Sequence, residues 1–208
     1  MTQGEDSDVT EEEEFYDEVL DQQIQRLTIM ARFVRTVVDV PWFSRVGEPL
    51  SAEDIATATA YLGSAGFPDA AVALVSTWDE AVEVAENPNW NSDWWETEEQ
   101  LKAGLITQAL EHVAEAELLN ALNHVSGQCA GAAVEAIGSA AIDAGFQPES
   151  DEDSFLNAAA GWAVAGAYQA SLVLAAGAEG DHAFALKFRL FENGRLPFGV
   201  VGTTFSIF

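Results

Sequence analysis

The chain has 208 residues and is 49% hydrophobic, enough for one sizeable core and incompatible with global disorder. Against eight Lys and Arg stand 35 Asp and Glu, a net charge of −27. Phosphate backbones and anionic lipid are repelled by such a surface, which sets nucleic acid and membranes aside as partners.

High negative charge with only two lysines, Lys102 and Lys187, resembles the proteins of salt-loving organisms, where concentrated salt screens carboxylate repulsion. An ordinary acidic cytosolic protein has the same sign, and both readings stay open. One cysteine, Cys129, rules out an intrachain disulfide and suits a cytoplasmic location. Six of the eight bases lie near the two ends: Arg26, Arg32, Arg35, Lys187, Arg189 and Arg195. They are expected to pair with one another or with the acidic middle.

In chain order, residues 1–10 read as a solvated acidic tail with neither the basic start nor the apolar core of a secretory signal. Glu11–Glu14 favour a helix start. Tyr16, Leu20, Ile24, Leu27, Ala31, Val34 and Val38 then form one apolar stripe, stopped by Pro41. Ser51 with Asp54 forms an acidic capping box opening a helix to about Ala65, ended by Gly66. Pro68 fits the first turn of a helix over 69–86. The loop "NPNWNSD" follows, and Asp93 with Glu96 caps a long helix over 94–125. A small-residue helix over 128–144 ends at Gly145, and Ser150 or Ser154 caps another over about 152–178.

Residues 155–178 carry no charge. Their length could span a bilayer, but both flanks are acidic and basic anchors are missing, so this segment is read as the central helix of a bundle. Its small residues Ala158, Gly161, Ala165 and Gly166 are expected to admit neighbouring helices. The C-terminal "FENGRLPFGVVGTTFSIF" combines an Asn-Gly turn signal, a proline and β-branched residues. It reads as an extended tail or a small hairpin. Its apolar side chains must pack on their own bundle or on a second copy.

Three groups carry candidate chemistry. Trp90, Trp94 and Trp95 cluster beside Glu96. The structural reading is an indole wedge closing a bundle end; the functional one is an aromatic platform for a cationic or sugar ligand. His112, Glu117, His124 and Glu135 could face inward as ligands for a divalent metal, although the chain has no Glu-x-x-His repeat. Hydrogen-bonded core histidines and solvated glutamates are the plainer account. Cys129, if Gly127 breaks the helix and Ser126 caps the next, sits in a first turn that lowers a thiol pKa; otherwise it is a small buried hydrophobe.

The expectation is therefore an all-α, multi-helix orthogonal or up-down bundle spanning 11–208 around an apolar helix at 155–178. No cofactor is identified. The first functional reading is a non-enzymatic interaction, structural or small-ligand-binding protein. The alternatives are a helical-bundle metal-dependent protein and an aromatic-platform binder.

Overall fold

In the computed structural model, which describes residues 11–147 and 155–208, helix dominates. The expected tail at 1–10 and the caps at Ser150 or Ser154 lie outside the described residues. Seven α-helices are described: α1 (Glu11–Thr36), α2 (Ala52–Ser64), α3 (Trp78–Ala85), α4 (Ser92–Leu110), α5 (Glu115–Asp143), α6 (Phe155–Ala176) and α7 (Ala183–Glu192). Three short strands complete the chain: β1 (Ala71–Leu74), β2 (Pro197–Val201) and β3 (Thr204–Ile207). The fold is all-α with a small sheet.

Local chemistry explains several boundaries. After α1, one 3-10 turn at Val37–Asp39 leads to Val40, which is extended as a residue before proline must be. The face of α1 that packs is offset from the predicted stripe. Met30 and Val37 are fully buried, whereas Leu20, Ile24 and Val38 are exposed, because the larger Met30 and Phe33 side chains meet the partner helices. The Phe33 ring lies edge-on to Phe188 of α7 at 5.2 Å. At α2 the predicted box closes in both directions. Asp54 N–H donates to Ser51 Oγ at 3.0 Å, and Ser51 N–H donates to Asp54 Oδ2 at 2.9 Å.

Three expected helices are corrected. Residues 69–86 do not form one helix: Pro68 sits in a turn in which Ala70 N–H returns to Phe67 O, β1 follows, and α3 starts at Trp78 under a Thr77 cap. A short apolar run such as "AVAL" is ambiguous by itself; its strand state comes from the ladder that β3 offers. The helices expected over 94–125 and 128–144 also divide elsewhere. The break falls at Glu111–Ala114, with Ala114 extended, and α5 runs straight through Gly127. A glycine inside a helix costs only about 1 kcal/mol, which packing of Val125 and Cys129 offsets. Buried Val113 anchors the real break.

The Asn193–Gly194 pair ends α7. Gly194 has φ +78, Arg195 N–H reaches Leu190 O and Gly194 N–H reaches Phe191 O, the Schellman arrangement that only a left-handed residue permits. The hairpin β2–β3 follows. β3 is the middle strand, antiparallel to β2 and parallel to β1, with Ala71 beside Thr204 and Leu74 beside Ile207. Leu196, Phe198, Val200, Phe205, Ile207 and Phe208 are all buried within this chain, so the apolar C-terminal segment packs on its own bundle.

Around α6 pack α1, α4, α5 and α7. By length and composition α6 alone among the described helices could cross a bilayer. Its small residues divide their roles. Gly166 takes the Phe191 ring, where a Cβ would come within 2.6 Å, while Ala158 is exposed. Gly161 and Ala165 admit no helix and open instead onto a cleft.

Two of the six bases near the ends pair with the acidic middle, Lys187 with Glu98 and Arg195 with Asp54. Arg195, fully buried, donates to Asp54 Oδ2 from Nε and Nη2, to the carbonyls of Arg45 and Glu48 from Nη1, and to that of Pro49 from Nη2. Burial pushes the Asp54 carboxyl up, but hydrogen bonds from Ser51 and the neighbouring Arg195 and Asn193 outweigh it and hold the group below the ordinary range.

Candidate functional site: an aromatic cleft

The loop "NPNWN" is positioned by its own asparagines. Asn87 Oδ1 accepts from Asn89 N–H at 2.9 Å, closing a local turn. Asn91 Nδ2 donates to Gly202 O at 2.8 Å and Asn91 N–H to Val200 O at 2.9 Å, so the loop is clamped onto the β2–β3 hairpin. Trp90 bridges to Val201 in the same register. Asn91 also caps α4, accepting from Trp94 N–H at 2.9 Å; the expected cap at Asp93 is displaced by two residues.

This clamp lays the indoles against β2. Trp90 and Trp94 stack with centroids 6.4 Å apart, and Trp95 meets Trp94 edge-on at 6.3 Å. Gly199 makes that possible: its φ is +149, and a Cβ there would stand 2.4 Å from the Trp94 ring. The two readings of the cluster separate residue by residue. Trp94 is a wedge, 3% exposed, whereas Trp95 is 60% exposed at the edge of a cleft.

The cleft has a volume of about 870 Å³. Trp90, Trp94 and Trp95 line it from the α4 side, and Gly161, Trp162 and Tyr168 from α6. Four of the chain's six tryptophans are thus gathered around one hollow. Beneath them lies a connected polar group. Trp94 Nε1 donates to the Tyr61 hydroxyl at 2.7 Å, and that hydroxyl donates to Glu98 Oε1 at 2.7 Å. Lys187 Nζ donates to both Glu98 oxygens, at 2.7 and 2.9 Å, and lies 5.3 Å from the Trp94 ring centroid. Gln169 Nε2 reaches Glu98 Oε2 at 3.5 Å. Burial pushes the Tyr61 phenol well above its ordinary value, reinforced by the Glu98 charge, so it remains a neutral donor at physiological pH.

Glu96 does not belong to this site. It is exposed, accepts from Gln100 at 3.4 Å, and is absent from the cleft wall. Glu98 takes its place, four residues after Trp94 and so on the same helical face. By the same spacing Trp95, Glu99 and Lys102 share a face, with Lys102 Nζ 2.6 Å from Glu99. This periodic signal was readable; adjacency to the tryptophans pointed to Glu96 instead. Trp162, Tyr168, Gln169 and Lys187 arrive through tertiary packing, and no local pattern marks them.

The four metal candidates do not converge. His112 lies in the break between α4 and α5 and is half-buried; Glu117, His124 and Glu135 are exposed on α5. Eleven helical residues separate His124 from Glu135, about 16 Å along the axis, too far to share an ion. Among the described residues no group of three or more His, Cys, Asp or Glu is placed to hold a metal. The third histidine, His182, caps α7 by accepting from Phe184 N–H at 3.1 Å.

No family model, no curated protein and no solved structure matches the chain. Function is therefore argued from the cleft itself. Cys129 stands outside it, mid-helix in α5 and fully buried, its thiol pushed up to about 12 by burial. The first-turn activation expected from a break at Gly127 does not arise.

Proposed function

We propose that this is a non-enzymatic protein that binds a small organic molecule in the aromatic cleft between α4 and α6. The observation that carries the proposal is the cleft's make-up: about 870 Å³, walled by four indoles and one phenol over a prearranged polar floor. Small-molecule sites fall in the range of roughly 300–1,000 Å³, mostly apolar, with a few convergent polar groups. Exposed tryptophan is also costly to leave in water when packing sites are at hand.

Binding is favoured over catalysis by the state of the polar groups. Glu98 is committed to Tyr61, Lys187 and Gln169, and Glu99 to Lys102, so both carboxylates of the cleft are already paired. The acidic surface and single cysteine support a cytoplasmic location, with neither nucleic acid nor membrane as partner.

A fragment screen by thermal shift, repeated on Gly161→Phe, tests the proposal. Nothing lies within 4 Å of a Cβ at Gly161, so the new ring enters the cleft without disturbing the helix. Fragments should stabilise the natural protein and lose that effect in the variant. Stabilisation that persists in Gly161→Phe, or no hit at all, refutes the cleft as the ligand site.

A further inference from the structure

Charge in this molecule is heavily one-sided, yet the cleft is balanced. Both lysines of the chain line it, and each is matched: Lys187 to Glu98 and Lys102 to Glu99. A cationic guest would find no unpaired carboxylate there, and the Trp94 face it would seek is already occupied by Lys187 at 5.3 Å. An anionic guest would find no uncommitted ammonium on the floor and would cross a strongly negative surface to arrive. The ligand that suits this hollow is neutral.

Its hydrogen-bonding character is set at the rim, because the polar groups below are enclosed: Gln169 is nine-tenths buried, its Nε2 lies 3.5 Å from Glu98 Oε2, and its Oε1 is buried without a partner among the described residues. At the rim, the half-exposed Lys102–Glu99 pair sets N–H donors beside carboxylate acceptors. A hydroxyl is the group that both donates and accepts, and two neighbouring hydroxyls can bridge such a pair. Trp90, Trp95, Trp162 and Tyr168 supply aromatic surface, whose electron-rich faces attract weakly positive C–H groups.

A molecule with a flat C–H face, a rim of vicinal hydroxyls and no charge is a saccharide. Resting on the cleft as the ligand site, we infer that the protein binds a neutral oligosaccharide. Its rings stack on the tryptophans, and a pair of neighbouring hydroxyls spans Lys102 and Glu99. The volume exceeds what one pyranose fills.

The test titrates the full chain with maltotriose, cellotriose, N,N′,N″-triacetylchitotriose, tetramethylammonium chloride and indole, followed by tryptophan fluorescence and calorimetry. An array of neutral glycans extends the sugar arm. Neutral saccharide should shift the emission and bind. Trp95→Ala, which removes an exposed ring of the cleft wall, should weaken it about tenfold, and Gly161→Phe should abolish it while circular dichroism keeps its natural values. If tetramethylammonium or indole binds in a manner lost in Gly161→Phe while every neutral glycan is silent, the saccharide inference is overturned and the cleft stands. If no probe responds to Gly161→Phe, both fall.

Discussion

Replacing Tyr61 by Phe removes one buried oxygen from behind the cleft wall and nothing else. The residue is fully buried, its ring packs on Phe205 at a centroid distance of 5.0 Å, and the hydroxyl has two partners. Losing the donor to the charged Glu98 costs roughly 1.5–3 kcal/mol, and orphaning the buried Trp94 indole N–H about 1–3 more. Some relaxation is available, since Lys187 keeps both of its bonds to Glu98. The expected loss is therefore about 3 kcal/mol, a sizeable fraction of the roughly 5–15 kcal/mol that holds a domain folded. For a chain of this length it lowers the thermal midpoint by about 6–12 °C. Urea unfolding followed by circular dichroism measures it, with the denaturant slope unchanged. A cycle with Glu98→Gln should return a coupling of about 1–3 kcal/mol between the two sites. A Tyr61→Phe cost below about 1 kcal/mol would refute the claim that the relay from Trp94 through Tyr61 to Glu98 supports the aromatic wall.

Three other outcomes are expected. Gly199→Ala should destabilise by about 3 kcal/mol in urea unfolding, since its Cβ meets the Trp94 ring at a φ that disfavours any side chain; an unchanged midpoint would show that the indole moves aside freely. Asp54 has a folded-state pKa below its unfolded one, so its contribution is complete above about pH 4 and is lost as pH falls through the folded value. The stability gap between the natural protein and Asp54→Asn should accordingly narrow only in strong acid, and a gap that closes near neutrality contradicts the assignment. Cys129, buried with a thiol pKa near 12, should react with a thiol reagent at neutral pH only as fast as the protein opens; labelling at the rate of a free thiol would mean that α5 is not packed as described.

How much of this was legible depends on where the decisive partner lies. The Ser51–Asp54 box, the end of α7 at Asn193–Gly194 and the uncharged run of α6 are local, and each was readable from residues a few positions apart. β1 was not, because its ladder is supplied by Thr204–Ile207, far along the chain. Nor was the break before α5, which contains neither glycine nor proline and is set by burial of Val113. The site divides in the same way. Three clustered tryptophans drew notice to the wall of the cleft, and helical spacing would have replaced Glu96 by Glu98 there. Gln169 and Lys187 stand 71 and 89 positions from Glu98, and only the packing of α4, α6 and α7 brings them together. The metal candidates stay apart for a related reason: helical spacing does not say which way a side chain faces, and Glu117, His124 and Glu135 are exposed on α5.

The position of β3 between β1 and β2 has a consequence for how the molecule is made. During vectorial synthesis β1 leaves the ribosome with both edges vacant, and the strand that fills the gap is translated last of the three. Until then the Ala71–Leu74 edge, and the indoles that later rest on Gly199, have no backing. Nascent chains arrested after α7 are thus expected to engage holdase chaperones and to lack the hollow altogether. Release of the hairpin completes the sheet and the cleft wall in one event.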